Sequence, residues 1–336
     1  MLLVLAVLVL GVLAAGAPER VSRYEHQVVW QAPWGRGEGQ VAWAEGKDGN
    51  RYGPRSFALH PDGRILVLDT FNQRIVVLDG RGQPAGTIGL DGMGYDDVSV
   101  SPAGTVYLAD NVKGEVVWLD PSGKVDGREV MRPEGMDVYL IEELAAGQNS
   151  VFVQEAGWTP SGFFRRVTFL KGRGDSRGTL ASVLVNVSGL REGTEGVISE
   201  AVRGTAVAPD GCLYLDVLCT DGFVRRVQVL SPRLEPFGEL ELRTGTFMGQ
   251  GSLVGVDGKG CVYYLLQTGD QAGVYRFDRK GQLTGVLDVP ATGYARLKRP
   301  VRVSPQGDVY FLHASEEGLS LEAYRFRQGW RWRWRR

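Results

Sequence analysis

Histidine and cysteine are scarce in this chain, which has three of each among 336 residues. The histidines, His26, His60 and His313, fall in unrelated predicted strands and turns. A catalytic zinc ion usually takes three convergent protein ligands, so a histidine-based zinc site is not supported. This shortage of histidine argues against zinc-dependent chemistry.

The cysteines do not form a disulfide framework. Cys212 and Cys219 fall at opposite ends of one predicted strand, ~20 Å apart at the usual rise per residue, which is beyond the reach of a disulfide. Cys212 and Cys261 occupy the same position in two neighbouring repeats. We therefore predict two small buried residues there.

Excess charge is lacking as well, because the formal net charge at pH 7 is −1. Such a chain has no general attraction to nucleic acid, and no nucleic-acid partner is predicted. Helical periodicity is also missing, whereas 47 glycines suit a protein with a tight turn every few residues. Together these features indicate a single all-β body.

The one long apolar run covers residues 2–16, which is the length of a secretory signal and short for a bilayer span. Residues 1–17 are therefore predicted to be a signal peptide or an N-terminal membrane anchor. The anchor stays open because no Lys or Arg precedes the run and Pro18 follows Ala-Gly-Ala. No cysteine follows the run, so lipoprotein attachment is not supported. The expected location is extracellular or at the cell envelope.

Residues 53–89 contain four short strand patterns separated by turn signals, which is the pattern of one antiparallel four-stranded unit. The unit recurs, with a turn glycine roughly every 40 to 50 residues and one gap of about twice that length. These glycines are Gly63, Gly104, Gly211, Gly260 and Gly307. A weaker copy in the gap, beginning at Met136, brings the number of units to six.

The first unit resembles the NHL-repeat β-propeller family. Its matching residues are Pro54, Pro61, Gly63, Asp69, Asn72, Arg74 and Ile75, with a trace in the second unit at Asp110 and Asn111. The resemblance implies a six-bladed β-propeller over residues 25–327. Related propellers include lyases, lactonases and plain binding modules, so the fold does not fix a function.

A ring of sheets must close. The last unit supplies only three strands, and residues 26–30 form a lone strand without a neighbour in sequence. We predict that this N-terminal strand joins the last blade as its fourth strand, which removes the exposed edge. The predicted blades are 54–95, 96–132, 133–200, 201–248, 249–297, and 298–327 completed by 26–32.

The innermost strand of each blade lines the channel of a propeller, and the chain enters every inner strand from the same face. Counting back from each predicted inner strand, and adding loops on that face, gives seven predicted ligand-binding residues: Arg55, Asp96, Glu134, Trp158, Arg203, Arg299 and His313. Arginines beside carboxylates and aromatic rings suit an anionic or sugar-like ligand. The alternative is that these charges pair with one another.

Two sets of polar residues have competing interpretations. Asp69, Asn72 and Arg74 are expected to stabilise their own hairpin, since Asp and Asn bond turn backbone and the arginine can pair with the aspartate. Glu134, Asn149 and Asp216 could serve a lactonase-like calcium site, although no spacing requires it. The predicted function is therefore binding of a protein, peptide or glycan at the cell envelope, without a cofactor. The alternative is a metal-dependent lyase or lactonase-like enzyme acting on a small anionic substrate.

The tail, residues 328–336, alternates tryptophan and arginine. In an extended chain Trp330, Trp332 and Trp334 share one face and arginines the other. That pattern suits contact with an anionic membrane or cell wall.

Overall fold

The computed structural model describes residues 24–136, 138–148, 150–159, 162–171, 179–186, 202–217, 224–244, 251–268, 271–290 and 294–326. These residues form six four-stranded antiparallel sheets and one two-stranded hairpin, with a single short 3₁₀ helix at Thr70–Asn72. The chain is thus an all-β, six-bladed propeller, as predicted. Within those ranges, no helix has the length and hydrophobicity to cross a membrane.

Blades one to three follow one another along the chain, each running from the inner to the outer strand. The strands of blade one are Ser56–Leu59, Ile65–Asp69, Arg74–Leu78 and Pro84–Gly89. Those of blade two are Tyr95–Val100, Val106–Asp110, Glu115–Leu119 and Val125–Val130. Those of blade three are Tyr139–Ala146, Ser150–Thr159, Gly162–Lys171 and Thr179–Asn186.

Blades four and five repeat this order. The strands of blade four are Val202–Val207, Leu213–Val217, Val224–Leu230 and Pro236–Arg243. Those of blade five are Ser252–Val256, Val262–Thr268, Gln271–Phe277 and Leu283–Val289. All inner strands begin at one face of the disc, which we call the mouth face; the opposite one is the far face.

Blade six closes the ring. Its inner three strands are Val301–Val303, Val309–Ala314 and Gly318–Phe326, and its outer strand is the N-terminal Tyr24–Pro33. The pairing runs from Tyr24 opposite Phe326 to Pro33 opposite Gly318, with one irregularity at Val29. The predicted closure is confirmed.

The core lies between neighbouring blades rather than at the centre of the disc. One cluster joins blades one and two, including Leu68, Ile75 and Leu108. Another joins blades five and six around Tyr263 and Phe311. Because each sheet is buried on both faces, the second strands read as continuous apolar runs rather than alternating ones. Cys212 and Cys261 are buried free thiols, as predicted.

Blade three differs from its prediction. The sequence indicated an inner strand starting near Met136 and a long loop over residues 156–162. The inner strand instead begins at Tyr139, and the second and third strands extend through most of that loop, pairing as far as Thr159 opposite Gly162. Gly157 and Gly162 suggested a loop in the sequence. In the structure both residues are paired across the hairpin. The predicted insertion after this blade lies mainly outside the described residues.

Residues 34–53 connect the closing strand to blade one across the mouth face. They include a hairpin of Ala44–Glu45 and Arg51–Tyr52. Trp34 stacks on Tyr294 with ring centroids 5.8 Å apart, and the Arg51 guanidinium lies 4.4 Å from the Tyr294 ring centroid. The segment is therefore packed against the propeller, whereas the sequence indicated only a glycine-rich connection.

Candidate functional site

β-bulges mark the entrance to the channel in three consecutive blades. The register shifts between Tyr95 and Asp97, between Ile141 and Glu143, and between Val202 and Gly204. The unpaired residues are Asp96, Glu142 and Arg203. A bulge re-aims a side chain at a sheet end, and bulges are frequent beside functional sites. Each of these three blades thus places a bulge residue at the channel mouth.

Asp96 is the centre of a paired cluster at the mouth. Its Oδ1 lies 2.5 Å from Arg55 Nε, and its Oδ2 lies 3.3 Å from Lys298 Nζ and accepts a 2.7 Å hydrogen bond from Asn111 Nδ2. Burial alone would raise the pKa of Asp96, but the two cations and Asn111 lower it below its usual value. The carboxylate is therefore held ionised and fully engaged.

Glu142 plays the same part in blade three. It accepts hydrogen bonds from Arg165 Nη2 at 2.6 Å and from Gln154 Nε2 at 2.7 Å. Gln154 is 3% exposed, and its Oε1 atom is buried without a hydrogen-bond partner in the described part of the chain. This carbonyl oxygen is an open acceptor in a region where most polar atoms are satisfied.

One level deeper, four buried charges span the channel; we call Asp97, Glu143, Arg299 and Arg302 the crossbar. Asp97 Oδ2 lies 3.1 Å from Arg299 Nη1, and its Oδ1 lies 3.2 Å from Arg302 Nη2. Arg299 also pairs with Glu143. Backbone groups complete the network, since Leu144 N–H donates to Asp97 and Thr205 N–H donates to Glu143. The crossbar links blades two, three, four and six.

The two crossbar carboxyls respond to burial in opposite ways. Burial would raise the pKa of Asp97, but Arg299 and Arg302 outweigh it and lower that pKa to about 2. Burial dominates for Glu143, and the nearby Asp97 adds to it, so the pKa of Glu143 rises despite its Arg299 partner. Asp97 is thus the firmly ionised partner of the arginines.

The crossbar separates two cavities. The mouth cavity has a volume of about 230 Å³, and its polar walls include Glu142, Gln154, Arg165, Ser252 and Lys298. The lower cavity, toward the far face, has a volume of about 150 Å³. The crossbar residue Arg299 lines both cavities. Among the described residues, the channel therefore contains two small cavities, one on each side of the crossbar.

An exposed apolar patch lies beside the mouth. Met93, Val112, Val130, Val138 and Trp158 are each more than half exposed and lie on the mouth side of blades two and three. Two contacts join positions in or next to this group: Trp158 N–H donates to Val138 O, and Arg132, two residues after Val130, donates to Val112 O. We call these five residues the mouth-face patch.

The predicted site residues occupy different places. Arg55 and Asp96 lie at the mouth, paired with each other, and Arg299 lies one level below in the crossbar. Arg55 and Arg299 are therefore already matched by carboxylates, which is the arrangement that the sequence left as the alternative. Arg203 is the bulge residue of blade four, and its side chain lies outside the described part.

The remaining predicted residues are spread further. Glu134 is exposed in the connection between blades two and three, while Glu142 holds the ring position that was assigned to it. Trp158 ends the second strand of blade three and is 58% exposed. His313 lies within blade six, 3.6 Å from Glu322. Ligand binding by all seven residues stays a prediction.

Sequence reasoning missed Glu142, Gln154, Lys298 and Arg302. A signal for Glu142 was present, because blades two and three each carry adjacent carboxylates before an apolar run, Asp96–Asp97 and Glu142–Glu143. Misplacing the inner strand of blade three hid that correspondence. Arg302 gave no signal, since one charged residue in a short strand resembles a solvent-facing position.

The Asp69, Asn72 and Arg74 group has the structural role that was expected. Asp69 Oδ2 accepts hydrogen bonds from Asn72 Nδ2 at 2.8 Å and from Arg74 Nε at 3.0 Å. Its other oxygen accepts from Ala42 N–H at 3.1 Å, and Arg74 Nη2 donates to Gln40 O. The group therefore holds the connecting segment as well as its own hairpin.

A metal site of clustered ligands is not formed by the described residues, which contain no group of three or more His, Cys, Asp or Glu placed to hold an ion. Of the three residues suggested for calcium, Glu134 is exposed in a connection and Asp216 bonds Tyr264. Asn149 lies outside the described part.

No protein-family model and no curated protein sequence matches the chain. Solved structures do match. A gluconolactonase from Xanthomonas campestris aligns with a TM-score of 0.55 and 14% identity over 92% of this chain and 91% of that one. A streptogramin B lyase gives 0.52 and 13%, over 93% and 100%. A luciferin-regenerating enzyme gives 0.50 and 10%, over 81% and 91%. At such identities the likeness shows the propeller fold alone.

Proposed function

We propose that this chain is an exported NHL-type propeller that binds a protein, peptide or glycan at the cell envelope through its mouth face. The observation that carries the proposal is the mouth-face patch. Exposed apolar side chains gathered on one face of a soluble protein mark interaction surfaces more often than isolated ones do. The patch borders a polar channel entrance, which gives the apolar centre and polar surroundings of a binding surface.

The composition of the patch favours a protein or peptide over a glycan. Four of its members, Met93, Val112, Val130 and Val138, are aliphatic, and Trp158 is the one ring among them. Sugars are held mainly by aromatic faces and hydrogen bonds, whereas aliphatic side chains gain by excluding water against other apolar groups. The paired charges of the mouth supply orientation rather than attraction for an anion.

A metal-dependent enzyme has less support. Its residues would have to converge in the channel, and the charged residues described there are committed to one another in the Asp96 cluster and the crossbar. The solved structures of enzymes with this fold carry no argument about activity at their low identity. Binding is the function that the described residues support best.

We also propose that the chain attaches to an anionic membrane or cell wall through its ends. Tyr24 pairs with Phe326, so the described chain begins and ends side by side at the far face. Along the chain, residues 1–17 precede Tyr24, and the tail with Trp330, Trp332 and Trp334 follows Phe326. Attachment there would leave the mouth face pointing away from the surface.

A peptide-display selection against the immobilised full chain tests the binding proposal. We expect the selected peptides to bind the double variant Val112→Ser/Trp158→Ser at least about tenfold more weakly than the wild type, since central apolar contacts dominate interface energy. Phe237→Ser is the matched control, because Phe237 is 73% exposed at the start of the outer strand of blade four, on the far face.

The control should bind the peptides as the wild type does. Equal binding by the double variant and the wild type would place the interaction elsewhere. A selection that enriches no peptide above background would count against a peptide ligand altogether.

A further inference from the structure

The lower cavity has a polar composition unlike that of the mouth cavity. Its described lining contains two arginines and no carboxylate, and the other polar side chains there are Ser99 and Thr205. The remaining walls are formed by the backbone and the apolar side chains of the inner strands, such as Val100, Ala206 and Val256. Glu143 faces the mouth cavity instead. Both crossbar arginines therefore line a cavity whose described walls carry no carboxylate.

Arg302 has a donor to spare on this side. Its Nε donates to Phe57 O at 2.7 Å, and its Nη2 bonds Ser56 Oγ, Asp97 Oδ1 and Val98 O. Nη1 makes no hydrogen bond to any residue that the structure describes. The Arg302 side chain is 11% exposed, and Nη1 is not one of the fully buried atoms that lack a partner. A molecule in the cavity can therefore reach this charged donor.

Thr205 supplies a second, independent open group. It is fully buried in the inner strand of blade four, and its Oγ1 atom has no partner among the described residues. Its backbone N–H is used separately, by Glu143. A hydroxyl can donate to an acceptor placed in the cavity. Both open groups on the cavity wall are therefore hydrogen-bond donors.

We propose that the lower cavity binds a small monovalent anion, such as chloride, nitrate or formate, between Arg302 and the Thr205 hydroxyl. The volume of about 150 Å³ has room for such an ion and a few waters. Cationic nitrogen and a hydroxyl donor are the groups that bind anions, while the apolar walls strengthen the attraction by excluding water.

The state of Arg302 agrees with this site. Burial lowers the pKa of Arg302 to about 10, and repulsion from Arg299 contributes. A nearby anion would offset both effects, because it favours the charged guanidinium. The crossbar would then be anchored from the lower side by the ion and from the mouth side by Glu143.

The test measures the thermal midpoint of the full chain while sodium chloride replaces sodium gluconate at constant ionic strength. Gluconate serves as the bulky reference anion. We expect a saturable rise in the midpoint with chloride, nitrate or formate, as binding to the folded state alone requires. Thr205→Val removes the hydroxyl while keeping the shape, and it should raise the half-saturating chloride concentration about tenfold.

Thr168→Val is the matched control, since Thr168 is also buried with an unpartnered hydroxyl but lies on the third strand of blade three. It should change the midpoint measured without chloride and leave the half-saturating chloride concentration unaltered. Thr205→Ser keeps the hydroxyl and should also leave that concentration unaltered. If Thr205→Val does not fold, broadening of the ³⁵Cl resonance by the wild type decides. Equal half-saturation in Thr205→Val and wild type, equal stabilisation by gluconate, or no saturable ³⁵Cl broadening would each overturn the proposal.

Discussion

Asp97 is the residue on which the channel depends most. It is fully buried and accepts hydrogen bonds from Ser56 Oγ at 2.6 Å and Leu144 N–H at 2.8 Å in addition to its two arginines. A buried ion pair is weak evidence for net stability, but removing one partner leaves the others uncompensated. The cost of losing Asp97 should therefore exceed the worth of any single contact it makes.

We expect Asp97→Asn to lower the free energy of unfolding by about 3 to 5 kcal/mol, because Arg299 and Arg302 keep their charges in a buried site with one carboxylate fewer. Denaturant titration measures the change. Asp62→Asn is the control, since the Asp62 side chain is 48% exposed and pairs with Arg64 at the surface, where solvent screens the pair. A loss for Asp97→Asn no larger than for Asp62→Asn would contradict the role of the crossbar.

The same variant has a pH signature with a definite sign. The pKa of Asp97 is about 2 in the folded chain, below the value of about 3.9 for an unfolded aspartate. A depressed pKa adds stability that is present above about pH 4 and is lost as the pH falls toward 2. The stability difference between wild type and Asp97→Asn should shrink across that range. A difference that stays constant from pH 5 to pH 2 would mean that another carboxyl is responsible.

For individual residues, the sequence predicted their positions on the inner strands better than it predicted their interaction partners. Arg55 and Asp96 are where counting along the inner strands put them, because those strands begin after clear turn signals. Lys298 and Arg302 were missed, since their partners lie about 200 residues away in sequence, across the channel. Such pairing depends on the diameter of the ring, which no local pattern encodes.

The element with the most distinctive local role is the hairpin between the second and third strands of blade one. Asp69 and Arg74 bond Ala42, Gln40 and Gly37 of the connecting segment. These bonds to the segment give a physical reason for the D-x-x-N-x-R pattern being complete in blade one. In blade two, Asn111 instead bonds the backbone of Ile141 in the next blade.

We expect Arg74→Ala to loosen the connecting segment while leaving the propeller folded. The variant removes the bonds to Gln40 and Gly37. It also takes one compensating partner from Asp69, whose pKa is already raised by burial. Limited trypsin digestion should then cut at the exposed Arg36 several-fold faster. Arg64→Ala is the control, since the Arg64 side chain bonds Asp62 and His60 of its own turn. Equal cleavage rates at Arg36 in the two variants would contradict this role.

Strand existence was predictable in five blades because each carries the same turn glycine between its first two strands. At Gly63, Gly104 and Gly307 the backbone has a φ of 93°, 84° and 92°, which glycine adopts without strain. Blade three lacks that marker in clear form, so its inner strand was placed early. The aromatic contacts of residues 34–53 were missed for another reason: Trp34 and Trp43 find their partner, Tyr294, only after the ring closes.

For the whole molecule, closure could be derived from sequence because it follows from counting: three strands in the last unit and one unpaired strand at the start. Long-range pairing of Tyr24–Pro33 with Gly318–Phe326 then fixes the relation of both ends to the two faces. Sequence alone could not tell which face Tyr24 and Phe326 share, since that depends on strand direction in a closed ring. The structure puts both residues at the far face.

That placement makes surface attachment testable as an orientation. We expect the full chain to sediment with vesicles that contain anionic lipid, and Trp330→Ala/Trp332→Ala/Trp334→Ala to sediment several-fold less at low salt, because tryptophan anchors a basic segment at the interface. Trp158→Ala is the control: Trp158 is exposed on the mouth face, so its loss should leave sedimentation unchanged. If Trp158→Ala lowers sedimentation as much as the tail variant does, the mouth face and not the shared edge of the two ends is what meets the membrane.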